Sequence, residues 1–426
     1  MTRYKIVILS NQFYDHPLKT NKWHVATELA SLGHTVLFVD PPTRFQGLKK
    51  LLKFGSLYRF FVSTVASNLT VFSLLNIFSF KPFSNFNTWV CTSLVNHELK
   101  NTVGEKTVLW VYHFDFPDLE NVVSSIPHDL LIYDVVDEYT AFPEYQRLAT
   151  VNKGLVAKIE AIDSFFKVKI NQKNLKGRDW VVNRELWLAK NADAIFASAP
   201  GLVTKFKKIL TELGRGIDRV YFVPNSGDYP RFKDAKSLVN NLPDDIKNIQ
   251  EPRVLFTGAL DTYKVNVNLI LQAARAYPNY SFVLIGPMQL SDPDNSVQKL
   301  QHEQNIHLLG LKEYKLTPLY FAGAQAFIIP YNLNEYTIGG CFPIKFHEAL
   351  SAGLPTIVTN IPCYEPFKEV CYVAQDDASF IALIKKAIDE DSSEKILARK
   401  EVGKNNSWEK KVASQLSIID TYVRQK

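Results

Sequence analysis

The stretch Asn334-Glu-Tyr-Thr-Ile-Gly-Gly-Cys-Phe-Pro-Ile-Lys-Phe-His-Glu-Ala-Leu-Ser-Ala-Gly-Leu-Pro355 decides the fold of the second half of the chain. A helix is predicted to begin near Pro343, because proline is favoured at the start of a helix, and to stop at Gly353. Apolar runs of strand length flank this stretch at Ala326–Ile329 and Thr356–Val358. The order strand, helix, strand is typical of a parallel α/β unit.

The same alternation of short apolar runs and helical patterns extends through the rest of the chain. The runs are continuous rather than alternating, which is expected of parallel strands covered on both faces. A turn-rich, polar segment over 224–252 separates two series of such runs. The further predicted strands are Ile6–Leu9, Thr35–Val39, Val108–Tyr112, Leu130–Asp134, Ala194–Ala197 and Val220–Val223 in the first series, and Val254–Thr257, Phe282–Ile285 and Ile306–Leu309 in the second.

These patterns predict the fold class. A chain of 426 residues is too long for one compact core and suits two domains. We therefore expect an α/β protein with two Rossmann-like, doubly wound parallel sheets that face each other across a cleft. In such sheets ligands bind outside the carboxyl ends of the strands, so one ligand is expected on each wall.

Composition narrows the function classes. The 49 basic and 43 acidic residues give a net charge of +6, without the dense Lys/Arg array that indicates nucleic-acid binding. This balance fits an enzyme with anionic substrates. The four cysteines have no metal-site spacing and predict free thiols in a reducing compartment. With no secretory segment and no run of 18 apolar residues, a cytoplasmic location is expected.

The segment 47–61, Gly-Leu-Lys-Lys-Leu-Leu-Lys-Phe-Gly-Ser-Leu-Tyr-Arg-Phe-Phe, mixes basic residues with Leu, Phe and Tyr. On a helix this composition gives a face that lies in a membrane interface, which would place the protein peripherally on the inner face of the membrane. Its two glycines weaken a helix, so a loop-and-helix excursion packed on the N-terminal half is the alternative.

Glycines end three predicted strands of the second sheet. Gly258, Gly286 and Gly310 each follow an apolar run, so the backbone at that edge can approach a ligand closely. Lys264 follows the first of them and would bring a positive charge near an anion at a helix N-terminus. Each feature alone also fits a tight turn or a surface lysine.

Charged residues of the block 334–355 fall on one helix face. Lys345 and Glu348 are three positions apart, so a lysine for phosphate and a carboxylate for two ribose hydroxyls would point the same way. Gly339 and Gly340 predict a flexible, anion-accepting turn before the helix, and Thr337 belongs to the same candidate site. A surface Lys–Glu pair is the alternative.

A family resemblance gives these residues their roles. Pro343-x-Lys-x-x-Glu-x-x-x-x-Gly-x-Pro355, preceded by Ile328-Ile-Pro330, resembles the C-terminal signature of GT-B glycosyltransferases, and within them the GT4 group that builds bacterial cell-surface polysaccharides, including teichuronic-acid-type enzymes. The resemblance implies an N-terminal acceptor-side domain at 1–225, a donor-side domain at 226–404, and a helix at 405–426 that crosses back to the first domain. No metal or other cofactor is expected.

The resemblance also implies donor-binding residues and shows two departures. Glu348 would bind the donor ribose and Lys264 and Lys345 the phosphates, while the backbone at Gly286 and Gly310 would frame the base. The family usually has arginine after the first strand-end glycine, where this chain has Ala259, and a glutamate at position 340, where this chain has glycine. Glu335 is the nearest substitute for that sugar-contacting carboxylate.

Polar residues after two strands of the first sheet are the candidates for catalysis. His113 occupies a place similar to the family's cleft histidine, and Asp137 could instead deprotonate an acceptor hydroxyl. The first loop, with Asn11 and Gln12, would lie on the acceptor side.

The sequence thus predicts transfer of a sugar from a nucleoside-diphosphate sugar to a sugar or lipid-linked hydroxyl acceptor, in cell-surface polysaccharide or glycolipid synthesis. The resemblance implies retention of the anomeric configuration, whereas a base at Asp137 would favour inversion. A nucleotide-sugar epimerase of the same fold and a non-catalytic partner subunit are the alternatives. The nucleotide, the sugar, the acceptor, the catalytic base and the oligomeric state stay open.

Overall fold

A computed structural model describes residues 2–41, 62–73, 83–114, 116, 118–142, 178–288 and 296–425. The strands are β1 (Tyr4–Leu9), β2 (Thr35–Val39), β3 (Ser63–Ala66), β4 (Leu69–Phe72), β5 (Lys106–Val111), β6 (Leu130–Val135), β7 (Ala194–Ala197), β8 (Val220–Phe222), β9 (Arg253–Thr257), β10 (Ser281–Ile285), β11 (Ile306–Gly310), β12 (Ala326–Ile329), β13 (Thr356–Thr359) and β14 (Tyr372–Ala374).

Helices connect these strands. They are α1 (Asn21–Ser31), α2 (Phe83–Asn101), α3 (Leu119–Ser125), α4 (Arg178–Asn191), α5 (Pro200–Glu212), α6 (Tyr229–Phe232), α7 (Asp244–Lys247), α8 (Val267–Ala276), α9 (Ser296–Lys299), α10 (Thr317–Ala322), α11 (Glu335–Gly340), α12 (Ile344–Ser351), α13 (Asp377–Asp389), α14 (Ser393–Asn405) and α15 (Trp408–Gln425). Short 3-10 turns include Tyr139–Ala141, Tyr314–Leu316 and Pro362–Phe367.

The first sheet has the strand order β3-β4-β2-β1-β5-β6-β7-β8. All of its neighbouring strands are parallel except the edge pair β3 and β4. Strand order reverses between β1 and β5, because the chain winds first to one side of β1 and then to the other. The first turn of α1 follows β1 at this reversal, which is where doubly wound sheets bind ligands.

The second sheet has the order β11-β10-β9-β12-β13-β14 and is parallel throughout. In chain order this is 3-2-1-4-5-6, the strand order of a Rossmann sheet. Its crevice lies between β9 and β12, beside the ends of β9 and β10. The Lys264 loop follows β9, and α12 follows β12 by way of α11.

The last helix returns to the first sheet. In α15 the side chains of Trp408, Val412, Leu416 and Ile419 are buried in the same hydrophobic core as β1 and β6. A second core contains the strands β9 to β13 and the buried faces of α8, α12 and α13. The chain therefore crosses between the two cores after β8 and again after α14.

The predicted strands agree with the structure to within two residues at each end, and the α/β class with two parallel sheets is confirmed. The sequence analysis missed β3, β4 and β14. Ser63–Ala66 lies largely exposed at the sheet edge, and β14 is three residues long, so neither has the continuous apolar run of a central strand.

Three further predictions concern contact with a membrane and the state of the cysteines. No helix in the described part of the chain has the length and apolar character needed to cross a bilayer. The segment 47–61 lies outside the described residues. The four cysteines are buried as free thiols.

Candidate active site

The half of the chain with the first sheet and the half with the second sheet form the first wall and the second wall of a cleft. A cavity of about 320 Å³ lies between these walls, at the carboxyl ends of both sheets. Its size is at the lower end of the range of small-molecule sites. The first wall contributes the segment 17–22, Val136 and Asp137, and the second wall contributes the ends of β9 and β10, Lys264, and the segment 341–345 with Glu348. The predicted residues Asp137, Gly258, Lys264, Gly286, Lys345 and Glu348 all line it.

Gly258 and Lys345 lie in close contact on the second wall. Gly258 has a φ of +129°, and a Cβ atom there would stand 2.3 Å from the Lys345 Nζ atom. The lysine therefore occupies the space that any side chain at 258 would need. Its ammonium lies 4.1 Å from the centre of the Phe256 ring, and burial lowers the pKa of Lys345 to about 7.

Lys264 enters the cavity through a cage of aromatic rings. Its ammonium lies 4.7 Å from the ring centre of Tyr336, 5.2 Å from that of Tyr263 and 5.4 Å from that of Phe142. Phe142 comes from the first wall, so the cage spans both. Cation–π contacts position a charge without neutralising it, which leaves the ammonium available to an anion.

The loop that carries Lys264 is held by two asparagine side chains. Asn332 donates to the Thr262 carbonyl oxygen at 2.7 Å, and Asn334 donates to that of Tyr263 at 2.6 Å. Asn334 also begins α11 by a capping box with Thr337. Thr337 is fully buried and caps this helix rather than lining the cavity.

Glu348 lies on the buried face of α12, one turn after Lys345. The Tyr314 hydroxyl donates to its carboxylate at 2.7 Å, and Arg231 is held near by a 2.7 Å hydrogen bond to Asp228. Burial raises the pKa of Glu348 to about 7, although the bond from Tyr314 opposes this. A carboxylate so placed accepts hydrogen bonds from hydroxyls of a ligand once it is ionised.

On the first wall, Asp137 faces the second wall directly. The Tyr336 hydroxyl of α11 donates to the Asp137 carboxylate at 2.6 Å, which joins the two walls across the cavity. Lys22, in the first turn of α1, also lines the cavity and is only 6% exposed.

Several other predicted residues stand away from the cavity lining. His113 is buried, with its ring stacked on Phe114 at 4.2 Å and edge-on to Tyr139 at 4.6 Å. Glu335 is half exposed and forms a 3.0 Å ion pair with Arg178. Gly310 ends β11 with a φ of +68°, and it is the following residues, Leu311 and Lys312, that line the cavity.

The predicted acceptor-side residues shape the first loop. Gln12 donates to the Leu18 carbonyl oxygen at 3.1 Å and accepts a hydrogen bond from the Thr20 hydroxyl. It thereby folds the loop whose later residues, 17–22, line the cavity. Asn11 is exposed and does not belong to the lining.

The predicted turn at Gly339 and Gly340 is wrong, because both residues lie in α11. Their role is a close approach between the walls. A Cβ atom at Gly340 would stand 2.5 Å from the Glu138 backbone nitrogen, and one at Gly201 would stand 2.0 Å from the Gly339 carbonyl oxygen. The backbone of Glu138 thus fills the space that a side chain at 340 would occupy.

Two kinds of residue escaped the sequence analysis. Tyr314 and Tyr336 hold the two carboxylates, and no spacing in the sequence marks them. Lys22 had a signal: a lysine in the first turn of a helix opposes the helix dipole, so it needs a reason to be there. The described residues hold no cluster of three metal-ligating side chains, and Asp292 and Asp294 lie outside them.

Comparisons with known proteins show which family and which structures this chain is similar to. Residues 251–390 match the family model described as Glycosyl transferases group 1. Over 311 residues the chain is 27% identical to the "Putative teichuronic acid biosynthesis glycosyltransferase TuaH" of Bacillus subtilis (strain 168), covering 72% of this chain and 70% of that protein.

Solved structures share the whole architecture. Sucrose-phosphate synthase from Thermosynechococcus elongatus superposes with a TM-score of 0.64 at 13% identity, over 100% of both chains. Anabaena Alr3699/HepE in complex with UDP and glucose superposes with a TM-score of 0.59 at 10% identity, over 99% of this chain and 100% of the other. The predicted GT-B fold and the predicted resemblance to glycosyltransferases are confirmed.

The close approach at Gly340 generates a prediction. Gly340→Ala should destabilise the protein by about 1–3 kcal/mol, since the added Cβ pushes α11 away from Glu138. Gly339→Ala is the matched control, because a Cβ there meets only the Glu138 Cγ atom at 3.8 Å. That substitution should be neutral or stabilising by up to about 1 kcal/mol. Thermal unfolding followed by circular dichroism measures both, and equal midpoints for the two variants would contradict the close approach.

Proposed function

We propose that this chain, a GT-B glycosyltransferase with a glycosyl transferases group 1 domain, moves a sugar from a nucleoside-diphosphate sugar to a hydroxyl acceptor with retention and without a metal ion. The observation that carries the proposal is the shared cavity in which Glu348, Lys264 and Lys345 converge beside the glycine-ended strands β9 and β10.

The donor's ribose fits Glu348. Its carboxylate is buried, lines the cavity and takes one hydrogen bond from Tyr314, so further lone pairs remain for two ribose hydroxyls. Ionised carboxylates form short, charge-assisted bonds to such donors. The base would then lie near the ends of β10 and β11, where Gly286 and Leu311 line the cavity.

Lys264 and Lys345 are the proposed binding partners of the donor's diphosphate. Both lysines contact aromatic rings and form no ion pair among the described residues, so their charge can meet phosphate oxygens. The N-terminus of α12 also faces the cavity, through the segment 341–345, and has no side-chain cap. These groups would stabilise charge on the departing nucleoside diphosphate, which is the work a metal ion does elsewhere.

The chemistry would take place between this donor site and the first wall. The bond from the anomeric carbon to the phosphate oxygen breaks, and a bond to the acceptor oxygen forms. The acceptor's proton leaves with the nucleoside diphosphate. Asp137 already accepts a hydrogen bond from Tyr336, which favours a positioning role over that of a free base. Retention of the donor's configuration is the outcome this supports.

The biological context follows from the relative of Bacillus subtilis, which carries teichuronic acid biosynthesis in its name. By analogy, the acceptor would be a sugar or lipid-linked intermediate of a cell-surface polysaccharide. UDP is the first nucleotide to try, because a protein of the same fold holds UDP and glucose.

The donor site is tested by calorimetric titration with UDP, GDP and dTDP in the presence of EDTA. Wild type should bind one of them, and Glu348→Gln should weaken that binding about 10- to 100-fold through loss of the charge-assisted bonds. Glu313→Gln is the matched control, because Glu313 is exposed, lies outside the cavity lining and forms an ion pair with Lys315. If none of the nucleotides binds, or if binding appears only when Mg²⁺ or Mn²⁺ is restored, the donor site as proposed is wrong.

The raised and lowered pKa values predict a pH optimum for donor binding. Binding needs an ionised Glu348, whose pKa of about 7 means that acid weakens it, and a protonated Lys345, whose pKa of about 7 means that alkali weakens it. The affinity for the nucleotide sugar should therefore peak near neutrality and fall on both sides. In Glu348→Gln the acid limb should disappear while the alkaline limb remains. A flat profile between pH 6 and pH 8 in wild type would contradict this pairing.

The stereochemical outcome is read from slow hydrolysis of the donor, with water as acceptor. Proton NMR within minutes, before mutarotation, should show the sugar released with the anomeric configuration it had in the donor. Asp137→Asn should slow the reaction without changing that configuration. An inverted product from wild type would instead assign the role of general base to Asp137.

A further inference from the structure

Lys22 is a buried lysine of the first wall that the donor site described above does not use. Its side chain lies in the first turn of α1, is 6% exposed and lines the cavity. Within the described residues its ammonium makes no hydrogen bond and no ion pair; the nearest aromatic contact is the Tyr112 ring, 5.8 Å from Nζ. A buried ammonium without a partner is costly, so its position calls for a ligand.

The helix that carries Lys22 adds to the positive potential. The N-terminus of α1 lies at the cavity, and its first turn contains no acidic residue that would neutralise it. The N-cap residue Thr20 gives no side-chain cap, because its hydroxyl is directed to Gln12 instead. The helix end is thus open toward the cavity, as in helix termini that bind anions.

The charges around Lys22 decide which ligand it meets. Asp137 and Asp134 attract its ammonium, whereas Lys264 of the opposite wall repels it, so the two lysines are near each other across the cleft. Burial lowers the pKa of Lys22, and an anion between the walls would reverse that effect. Asp137 also accepts a hydrogen bond from the Tyr336 hydroxyl, and it forms no ion pair with Lys22.

We infer that Lys22 and the N-terminus of α1 form the first-wall half of a diphosphate-binding site, so that the leaving nucleoside diphosphate is clamped between Lys22 on one side and Lys264 and Lys345 on the other. This inference rests on the proposed function. It also gives the first wall a donor-binding role, in a half of the chain to which the sequence analysis gave only acceptor binding and catalysis.

The clamp has a physical consequence for the two walls. Without an anion, the ammonium groups of Lys22 and Lys264 repel each other, although Asp137 and Asp134 act on Lys22 more strongly than Lys264 does. A diphosphate between them changes that repulsion into attraction from both sides. A donor held by both walls in this way would be shielded from water at its anomeric carbon.

The test compares nucleotide binding by wild type, Lys22→Met and Lys106→Met. Methionine is unbranched and one atom shorter than lysine, so it removes the charge and keeps most of the side-chain volume. Lys106 is the control, because it is a lysine of the same half of the chain that lies outside the cavity lining and pairs with Asp129 at 3.0 Å. Each protein is titrated with the nucleoside diphosphate that wild type binds and with the corresponding nucleoside. Thermal unfolding checks that each variant is folded.

Lys22→Met should bind the nucleoside diphosphate about 10- to 100-fold more weakly and the nucleoside with nearly unchanged affinity. Lys106→Met should bind both ligands like wild type, and Lys22→Arg, which restores the charge, should recover most of the diphosphate affinity. If Lys22→Met binds the diphosphate like wild type, or loses diphosphate and nucleoside equally, the clamp is wrong and the donor site of the second wall stands. If wild type binds none of UDP, GDP and dTDP, the proposed function itself fails.

Discussion

Positive charge without paired carboxylates is the constraint on which the rest of this structure depends. Lys22, Lys264 and Lys345 all enter one cavity, and each is positioned by aromatic rings or by helix geometry rather than by an ion pair among the described residues. Burying such charges costs free energy, and an anionic ligand in the cavity would offset that cost. Two hydrophobic cores hold the walls in place, while the cavity between them contains charged side chains.

The walls are joined by a small set of polar and steric contacts. Asn225 is the centre of one set: it donates to the Phe342 carbonyl oxygen at 2.9 Å and accepts from Asn21 at 3.3 Å. Further contacts are the hydrogen bond from Tyr336 to Asp137 and the close approach of Gly340 to the Glu138 backbone. The helix α15 adds its apolar face to the first core after the chain has left the second. These contacts hold the two walls on either side of the cavity.

Much of the fold could be predicted from the sequence, because central parallel strands are continuous apolar runs and glycine or proline marks their ends. Val254–Thr257, for example, differs from β9 by a single residue. The edge strand Ser63–Ala66 could not be predicted, because its side chains are largely exposed and carry no apolar run. The GT-B architecture followed from strand–helix alternation together with the block 334–355.

Site residues could be predicted only where the spacing along one helix determines which way their side chains point. Lys345 and Glu348 share a helix face, and both reach the cavity. Residues whose place depends on contacts between the walls were missed or misread. The sequence suggests a flexible turn at Gly340, but the Glu138 backbone lies against that residue. It suggests a site carboxylate at Glu335, but that side chain forms an ion pair with Arg178. Such contacts join residues more than 150 positions apart, which no local pattern reports.

The central claim is that one nucleoside diphosphate is bound by both walls at once. A crystal structure of the complex with the nucleotide that binds in solution tests it most directly. We expect the ribose hydroxyls at Glu348 and the diphosphate oxygens within hydrogen-bonding distance, about 3 Å, of Lys22, Lys264 and Lys345. A nucleotide bound elsewhere, or one whose phosphates contact the second wall alone with Lys22 turned away, would contradict the account.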